Sequence, residues 1–117
     1  MSCLLSKMET MAYDGALQAM RSGFCVARKE WLAKGQGIWI FIMPSIPLNV
    51  SITNEMPRDA IKMLENRPYP TMTKPTFALH TKDGFIHFGW LATHCDQLAD
   101  DWVVVTQSIY NYINGQR

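Results

Sequence analysis

The residues best suited to chemistry lie in two short stretches. Ala27-Arg28-Lys29-Glu30-Trp31 sets two cations beside an indole. An indole at a strand end stacks a nucleobase or similar ring, while fixed cations next to it hold phosphate, an arginine doing so with both arms of its planar fork. Arg28 has a second reading, an ion pair with Asp100 or Asp101 that ties its strand to the helix before them. Trp31 follows an apparent strand, Phe24–Arg28, and precedes the turn Lys34-Gly35-Gln36-Gly37, which places it at the strand end. The second stretch runs from Trp90 to Trp102. Within it Thr93-His94-Cys95-Asp96 has capping-box spacing, with Asp in place of the usual Glu. Leu91-Ala92-Thr93-His94 therefore joins a strand to a helix start, where free backbone N–H groups suit an anion. Thr93 has the capping job whether or not a ligand is present.

The remaining reactive side chains offer less. His80, His87 and His94 recur every seven residues. The first two are expected on one sheet face, where the choice lies between a metal site and two half-solvated imidazoles; no fixed carboxylate or thiolate partner favours the metal. Cys95 beside His94 is no catalytic dyad by adjacency alone, because sequence neighbours rarely bring their side chains within hydrogen-bond reach. Trp39 lies inside an apolar strand and Trp102 opens another, so core packing accounts for both. No nucleophile elbow, phosphate-binding loop, zinc-protease helix or dinucleotide fingerprint occurs. Lys34–Gly37 is glycine-rich but leads into a strand, so it cannot aim a helix N-terminus at phosphate.

The elements that must position these residues follow from periodicity. Tyr13, Ala16, Leu17 and Met20 form one face of a helix, with Asp14 as a candidate cap and Gly23 at its C-terminal end. Ile38–Met43 is a β-branched and aromatic run, read as a buried strand. All six prolines lie in residues 44–75, read as a long excursion outside the sheet. Within it Arg58–Asn66 reads as a short helix behind Pro57, with Ile61 and Leu64 facing inward. Phe77–His80 and Phe85–Trp90 flank an Asp83-Gly84 turn, a hairpin signal. Strict alternation puts Phe77, Leu79, Ile86, Phe88 and Trp90 on one face and His80 and His87 on the other. A short helix from Thr93, a strand Trp102–Val105 and a half-turn at Ser108–Ile113 complete the chain. The fold class is α+β: an N-terminal helix packed on an antiparallel sheet of about five strands, with a short helix before the last strand.

Composition bounds the function. The chain has 117 residues, 48% of them apolar and 18% charged, which suits one globular domain with a core at 13–105 and loose tails at 1–9 and 114–117. A net charge of +1 from 11 basic and 10 acidic side chains argues against general nucleic-acid binding but leaves room for a local phosphate pocket. Three widely spaced cysteines imply reduced thiols and a cytosolic setting. Met1–Leu5 is too short an apolar start for a signal peptide, and no apolar run reaches membrane-spanning length.

Together these segments resemble a family of small phage and prophage proteins that includes the second type of Thoeris anti-defence protein. The resemblance rests on Tyr13-Asp14-Gly15-Ala16-Leu17, on Gly23-x-x-Val26-Ala27-Arg28-x-x-Trp31 with Lys34-Gly35, on Asp83-Gly84, and on the block Trp90-Leu91-Ala92-Thr93-His94-Cys95-Asp96-Gln97-Leu98-Ala99-Asp100-Asp101-Trp102. It covers residues 13–43 and 77–105. The chain departs from the family pattern at Leu32-Ala33, where Asn-Gly is usual, and at Thr93-His94-Cys95, where Ser-Gln-Thr is usual. The resemblance implies a non-enzymatic sponge, a homotetramer with pockets where subunits meet, needing no cofactor or metal and working in the cytoplasm of an infected bacterium. Its ligand would be the cyclic ADP-ribose isomer made by the Thoeris TIR enzyme or, in some members, a cyclic dinucleotide. It further implies that Trp31 stacks adenine, that Arg28 and Lys34 neutralise phosphate, that Thr93 and His94 bond phosphate or ribose, that Asp96 accepts from a ribose hydroxyl or caps the helix, and that Trp90 belongs to the same pocket. A phosphodiesterase-like enzyme using the histidines and a protein-binding phage component are the competing classes.

Overall fold

A computed structural model describes residues 7–48, 55–65 and 71–115, with side chains given as far as 111 in the last stretch. The first element is helix α1, Tyr13–Arg21, which buries Ala16 and Met20. Its N-cap is Ala12; Asp14 lies inside the first turn, where its carboxylate accepts from the Gly15 N–H at 3.0 Å and complements the helix dipole. Gly23 leaves the helix with φ +95°, a conformation that a side chain would strain.

Strand β1 (Cys25–Arg28) runs directly into a one-turn helix α2 (Lys29–Ala33), and Gly35 and Gly37 turn the chain into β2 (Trp39–Met43) with φ of +66° and +63°. Strand β3 (Thr76–His80) and β4 (Ile86–Phe88) form the hairpin, α4 is His94–Leu98, β5 is Trp102–Val105, and α5 is Gln107–Gly115. In chain order helix α3 (Arg58–Glu65) follows β2 and precedes β3. The five strands make one sheet in the order β4-β3-β2-β1-β5. β1 lies between β2 and β5 and pairs antiparallel with both, Val26 opposite Ile40 and Arg28 opposite Trp102.

The α+β class, the five-stranded antiparallel sheet and the helix before the last strand agree with the sequence reading. Three details differ. The hairpin register pairs Ala78 with Phe88, Leu79 with His87 and His80 with Ile86. Five residues, Thr81–Phe85, separate the paired ends, and an odd count moves β4 by one position relative to the expected alternation. His80 and His87 therefore lie on opposite faces, and Ile86 and Phe88 share the face of His80, not that of Leu79. Trp31 is in the middle of α2, not at a bare strand end. The C-terminal helix extends from Gln107 to Gly115, beyond the half-turn expected.

Two clusters hold the sheet. On one face α1 packs Ala16 and Met20 against Val26, Ile40 and Trp102, with Trp31, Phe77, Leu79 and Trp90 around them. On the other, Ala27, Val103 and Val105 meet Leu32 of α2, with Trp39, Ile109 and Tyr110 alongside. Residues Pro44–Thr76 form a second compact unit. Inside it Pro47 bridges Met72, the Thr73 N–H donates to the Ile46 carbonyl at 2.9 Å, and α3 starts just after Pro57. No residue of α3 is fully buried; Ile61 and Leu64 are half-buried and Met63 is exposed. The tails expected at 1–9 and 114–117 lie largely outside the described residues.

Candidate functional site

The site is built on Arg28. It is the last residue of β1, and its pairing with Trp102 puts it beside the start of β5. Each of its three guanidinium nitrogens meets a carboxylate: Nε donates to Asp101 at 2.9 Å, one terminal nitrogen to Asp96 at 3.2 Å, and the other lies 3.2 Å from Glu30. Burial alone would lower its pKa, but hydrogen bonding and charge from Asp101, then Asp96 and Glu30, more than offset this and raise it. Of the two readings open for Arg28 in the sequence, the structure places the ion pair with Asp101.

Asp101 does more than pair. Its backbone carbonyl accepts from the Lys29 N–H at 2.8 Å and its carboxylate from the Glu30 N–H at 3.3 Å, so it satisfies two donors that the start of α2 would leave open. Asp96 completes the expected capping box. The Thr93 hydroxyl accepts from the Asp96 N–H at 3.1 Å, and the Asp96 carboxylate accepts from the Thr93 N–H at 3.2 Å. The Asp96 carbonyl then takes the indole N–H of fully buried Trp102 at 2.9 Å. A five-residue helix has little stability of its own; here it is pinned by a capping box, a buried indole and an arginine.

Trp102 anchors an aromatic cluster. Trp31 meets it edge-on with centroids 5.3 Å apart, Trp90 does so at 6.4 Å, and Tyr13 lies 5.3 Å away at a tilt. Trp31 and Trp90 contact each other at 6.3 Å, and Phe77 reaches Trp90 at 6.2 Å. Edge-to-face geometry at these distances is favourable packing beyond the area it buries. Trp31 and Trp90 remain half-buried. Burial, and to a smaller degree the Asp96 charge, raise the pKa of the Tyr13 phenol.

Of the residues expected from the sequence, Arg28, Trp31, Trp90, Thr93 and Asp96 converge here. Lys34 is joined only through Glu30, which its ammonium meets at 3.2 Å, and its side chain is 60% exposed. His94 is exposed beside the cap, and Leu91 and Leu98 bracket it at 84% and 85% exposure. The ion-paired cluster holds two cations, Arg28 and Lys34, against three carboxylates, Glu30, Asp96 and Asp101.

The sequence reading missed Tyr13 and Phe77 as members of the aromatic cluster; their spacing marks them only as helix and strand core. It also missed a group on the opposite face. There Trp39 stacks on His80 with centroids 4.4 Å apart, Tyr110 stands edge-on to Trp39, and the His80 Nδ1 lies 3.2 Å from the Gly37 carbonyl. A cavity of about 360 Å³ lies beside it, lined by Cys25, Trp39, Val105, Thr106, Gln107 and Tyr110, and burial raises the Cys25 pKa. The separation of His80 from His87 removes the shared-face pair, and no cluster of metal-binding side chains occurs among the described residues.

The Tad2-like family, the Thoeris anti-defense 2-like domain, matches residues 11–105, which takes in α1, the Arg28 clasp and the whole Trp90–Trp102 block. The chain belongs to this family. None of the curated proteins matches it. Among the described residues no helix is long and apolar enough to cross a membrane.

Proposed function

We propose that this protein counters Thoeris defence by sequestering its nucleotide-derived signal, the cyclic ADP-ribose isomer, without cleaving it. Membership of the anti-defence family supports the setting. The observation that carries the reading is the folded form of the Trp90–Trp102 block: half-buried indoles at Trp31 and Trp90 beside a capped turn whose Thr93 and His94 are exposed. Trp31 and Trp90 offer aromatic surface for adenine, and Thr93 and His94 hydrogen-bond to ribose or phosphate.

Arg28 and Asp96 act in this reading as the frame. Arg28 already faces three carboxylates, so phosphate charge falls to Lys34 and to cations of a second subunit. The exposed Leu91 and Leu98 flanking His94 fit a pocket closed by another copy, in keeping with a homotetramer. The protein binds without cofactor or metal, away from membrane and nucleic acid, in the cytoplasm of the infected host.

The test is recovery. The protein is incubated with the cyclic ADP-ribose isomer, freed of unbound ligand and heat-denatured. Intact ligand in the supernatant supports sequestration; a hydrolysed product overturns it in favour of an enzyme. Calorimetry with the isomer and with cyclic dinucleotides then separates the two ligand classes, and absence of heat from both overturns the small-molecule reading. His94→Ala is the appropriate variant, since the residue is exposed and the fold does not rest on it. Trp31→Ala is not, because Trp31 packs against both core clusters.

A further inference from the structure

The sheet face away from Trp102 carries a second aromatic group that takes no part in the proposed capture. Strand alternation brings Cys25, Ala27, Trp39, Val103 and Val105 to this face, with Cys25 opposite Val105 in the register. Cys25 and Ala27 are small, so the face is shallow between Trp39 and β5. Thr106 follows the strand, and its hydroxyl accepts from the Ile109 N–H at 3.3 Å at the start of α5, the helix that carries Tyr110. The result is the cavity of about 360 Å³ lined by Cys25, Trp39, Val105, Thr106, Gln107 and Tyr110. All six residues belong to the unit that carries the sheet. The volume is at the lower end of ligand pockets, about 300–1,000 Å³.

Trp39 gives the cavity a chemical demand. Its indole nitrogen is shut off from solvent and has no hydrogen-bond partner, the one such side-chain atom among the described residues. Trp102 shows the usual arrangement, its buried indole N–H donating to the Asp96 carbonyl at 2.9 Å. Buried polar groups are nearly always paired, so an open N–H on a residue that lines a cavity calls for an acceptor. The indole is also held in place. His80 stacks on it with centroids 4.4 Å apart and planes 13° from parallel, and the His80 Nδ1 lies 3.2 Å from the Gly37 carbonyl. Tyr110 stands edge-on to it at 6.1 Å and 89°. A wall fixed in advance spares a ligand the cost of ordering it.

The lining also fixes the charge of an occupant. None of the six residues is a lysine, arginine, histidine or carboxylate, and burial raises the Cys25 pKa, so the thiol stays neutral. A phosphate or carboxylate would lose its water there and gain no counter-charge. The Gln107 side-chain nitrogen donates to Asn111 at 3.0 Å, which leaves the Gln107 carbonyl to accept from an incoming N–H. Thr106 and Gln107 are exposed and Val105 is buried, so the cavity opens at the start of α5 and has its floor on β5. We infer that this cavity is a binding site for a neutral, flat aromatic molecule with a carbonyl acceptor, of which an aromatic amide is the simplest form. Its carbonyl takes the Trp39 N–H, and its ring packs among Trp39, Tyr110 and Val105. The site shares no residue with the Trp31–Trp90 surface, so it stands or falls independently of signal sequestration.

Benzamide is the probe, with benzoate as its charged counterpart of the same shape. Proton–nitrogen correlation NMR of the full chain follows the indole N–H signals of the four tryptophans, and Trp39→Phe assigns that of Trp39 by its loss. Benzamide is expected to move the Trp39 signal downfield and saturably, leaving those of Trp31 and Trp90 in place. By calorimetry it is expected to bind at least about tenfold more tightly than benzoate, and to lose about tenfold in Trp39→Phe, which keeps a ring without the donor. Tenfold is about 1.4 kcal/mol, within what a buried unpaired donor costs. Cys25→Leu fills the cavity and is expected to abolish binding, with circular dichroism to confirm the fold. A Trp39 signal that does not respond to saturating benzamide overturns the site, as does a shift confined to Trp31 or Trp90. Equal affinity for benzoate overturns the neutral class of ligand. Undiminished binding in Trp39→Phe overturns the role of the indole N–H, and undiminished binding in a folded Cys25→Leu overturns the cavity as the place of binding. None of these results bears on capture of the nucleotide signal, which the recovery experiment tests by itself.

Discussion

Replacing Arg28 by Met tests whether the clasp is structural. The side chain is 16% exposed, and its partners Asp96 and Asp101 are 12% and 28% exposed. Removing the cation strands Asp96, whose carboxylate keeps only the Thr93 N–H. Breaking a buried pair by deleting one partner costs about 3–5 kcal/mol, mostly the penalty of an uncompensated charge. Asp101 is more solvated and keeps its bond to Glu30, and Glu30 itself is 45% exposed and contributes little. The expected loss is therefore at the low end, about 3 kcal/mol, or about 12 °C in melting temperature for a domain of this size.

Urea unfolding followed by fluorescence measures this directly, since Trp102 and Trp31 lie at the clasp. Asp96→Asn in the Arg28→Met background removes the stranded charge but keeps an acceptor for Thr93, so the double variant is expected to be more stable than Arg28→Met alone. A loss under about 1 kcal/mol, or no recovery in the double variant, refutes the clasp. Arg28→Lys adds a functional arm. Full stability with abolished ligand capture would show that the guanidinium contacts the ligand itself.

Other outcomes follow from the same geometry. Thr93→Ala removes the cap acceptor for the Asp96 N–H and is expected to lower stability by about 1 kcal/mol by urea titration. Alkylation by iodoacetamide at neutral pH, mapped by mass spectrometry, should label exposed Cys95 well before Cys25, which is half-buried with its pKa raised by burial. The Tyr13 phenol has its pKa raised above 10.0, so the fold favours the neutral form. Its contribution is full below the unfolded value and is lost as pH rises through the folded one, and Tyr13→Phe should flatten the alkaline limb of stability against pH.

Local chemistry was legible in the sequence and pairing between distant segments was not. The capping box at Thr93 and Asp96 is a spacing of three residues, and it folded as read. The five strands followed from β-branched and aromatic runs. The Arg28–Asp101 pair spans 73 positions, so composition left Arg28 open between two roles until the register of β1 with β5 brought them together. The hairpin shows the same limit at short range. Asp83-Gly84 marked the turn, but the face of every β4 side chain depends on whether the loop has an even or odd number of residues, which the turn signal does not specify. Trp31 was misplaced because a single helical turn has no period to detect. Helix α5 was drawn too short because Ile109 and Tyr110 pack on a sheet face assembled from residues far upstream.

The structure also sorts the positions at which the sequence resemblance breaks. Leu32 is 1% exposed and packs with Ala27, Val103 and Val105 on the sheet face away from the Trp102 cluster. A polar side chain there would be buried without a partner, so Leu32→Asn is expected to destabilise by a few kcal/mol while touching no ligand. His94 and Cys95 are exposed on the pinned turn. Their side chains are held in position without holding anything else in position, which is the state in which a substitution alters recognition and leaves the fold intact. His94→Gln should therefore shift the relative affinity for the cyclic ADP-ribose isomer and cyclic dinucleotides, read by calorimetry, with an unchanged unfolding midpoint. An altered midpoint with unaltered affinities would place the recognition surface elsewhere, because it would show that His94 belongs to the frame and not to the face the frame presents.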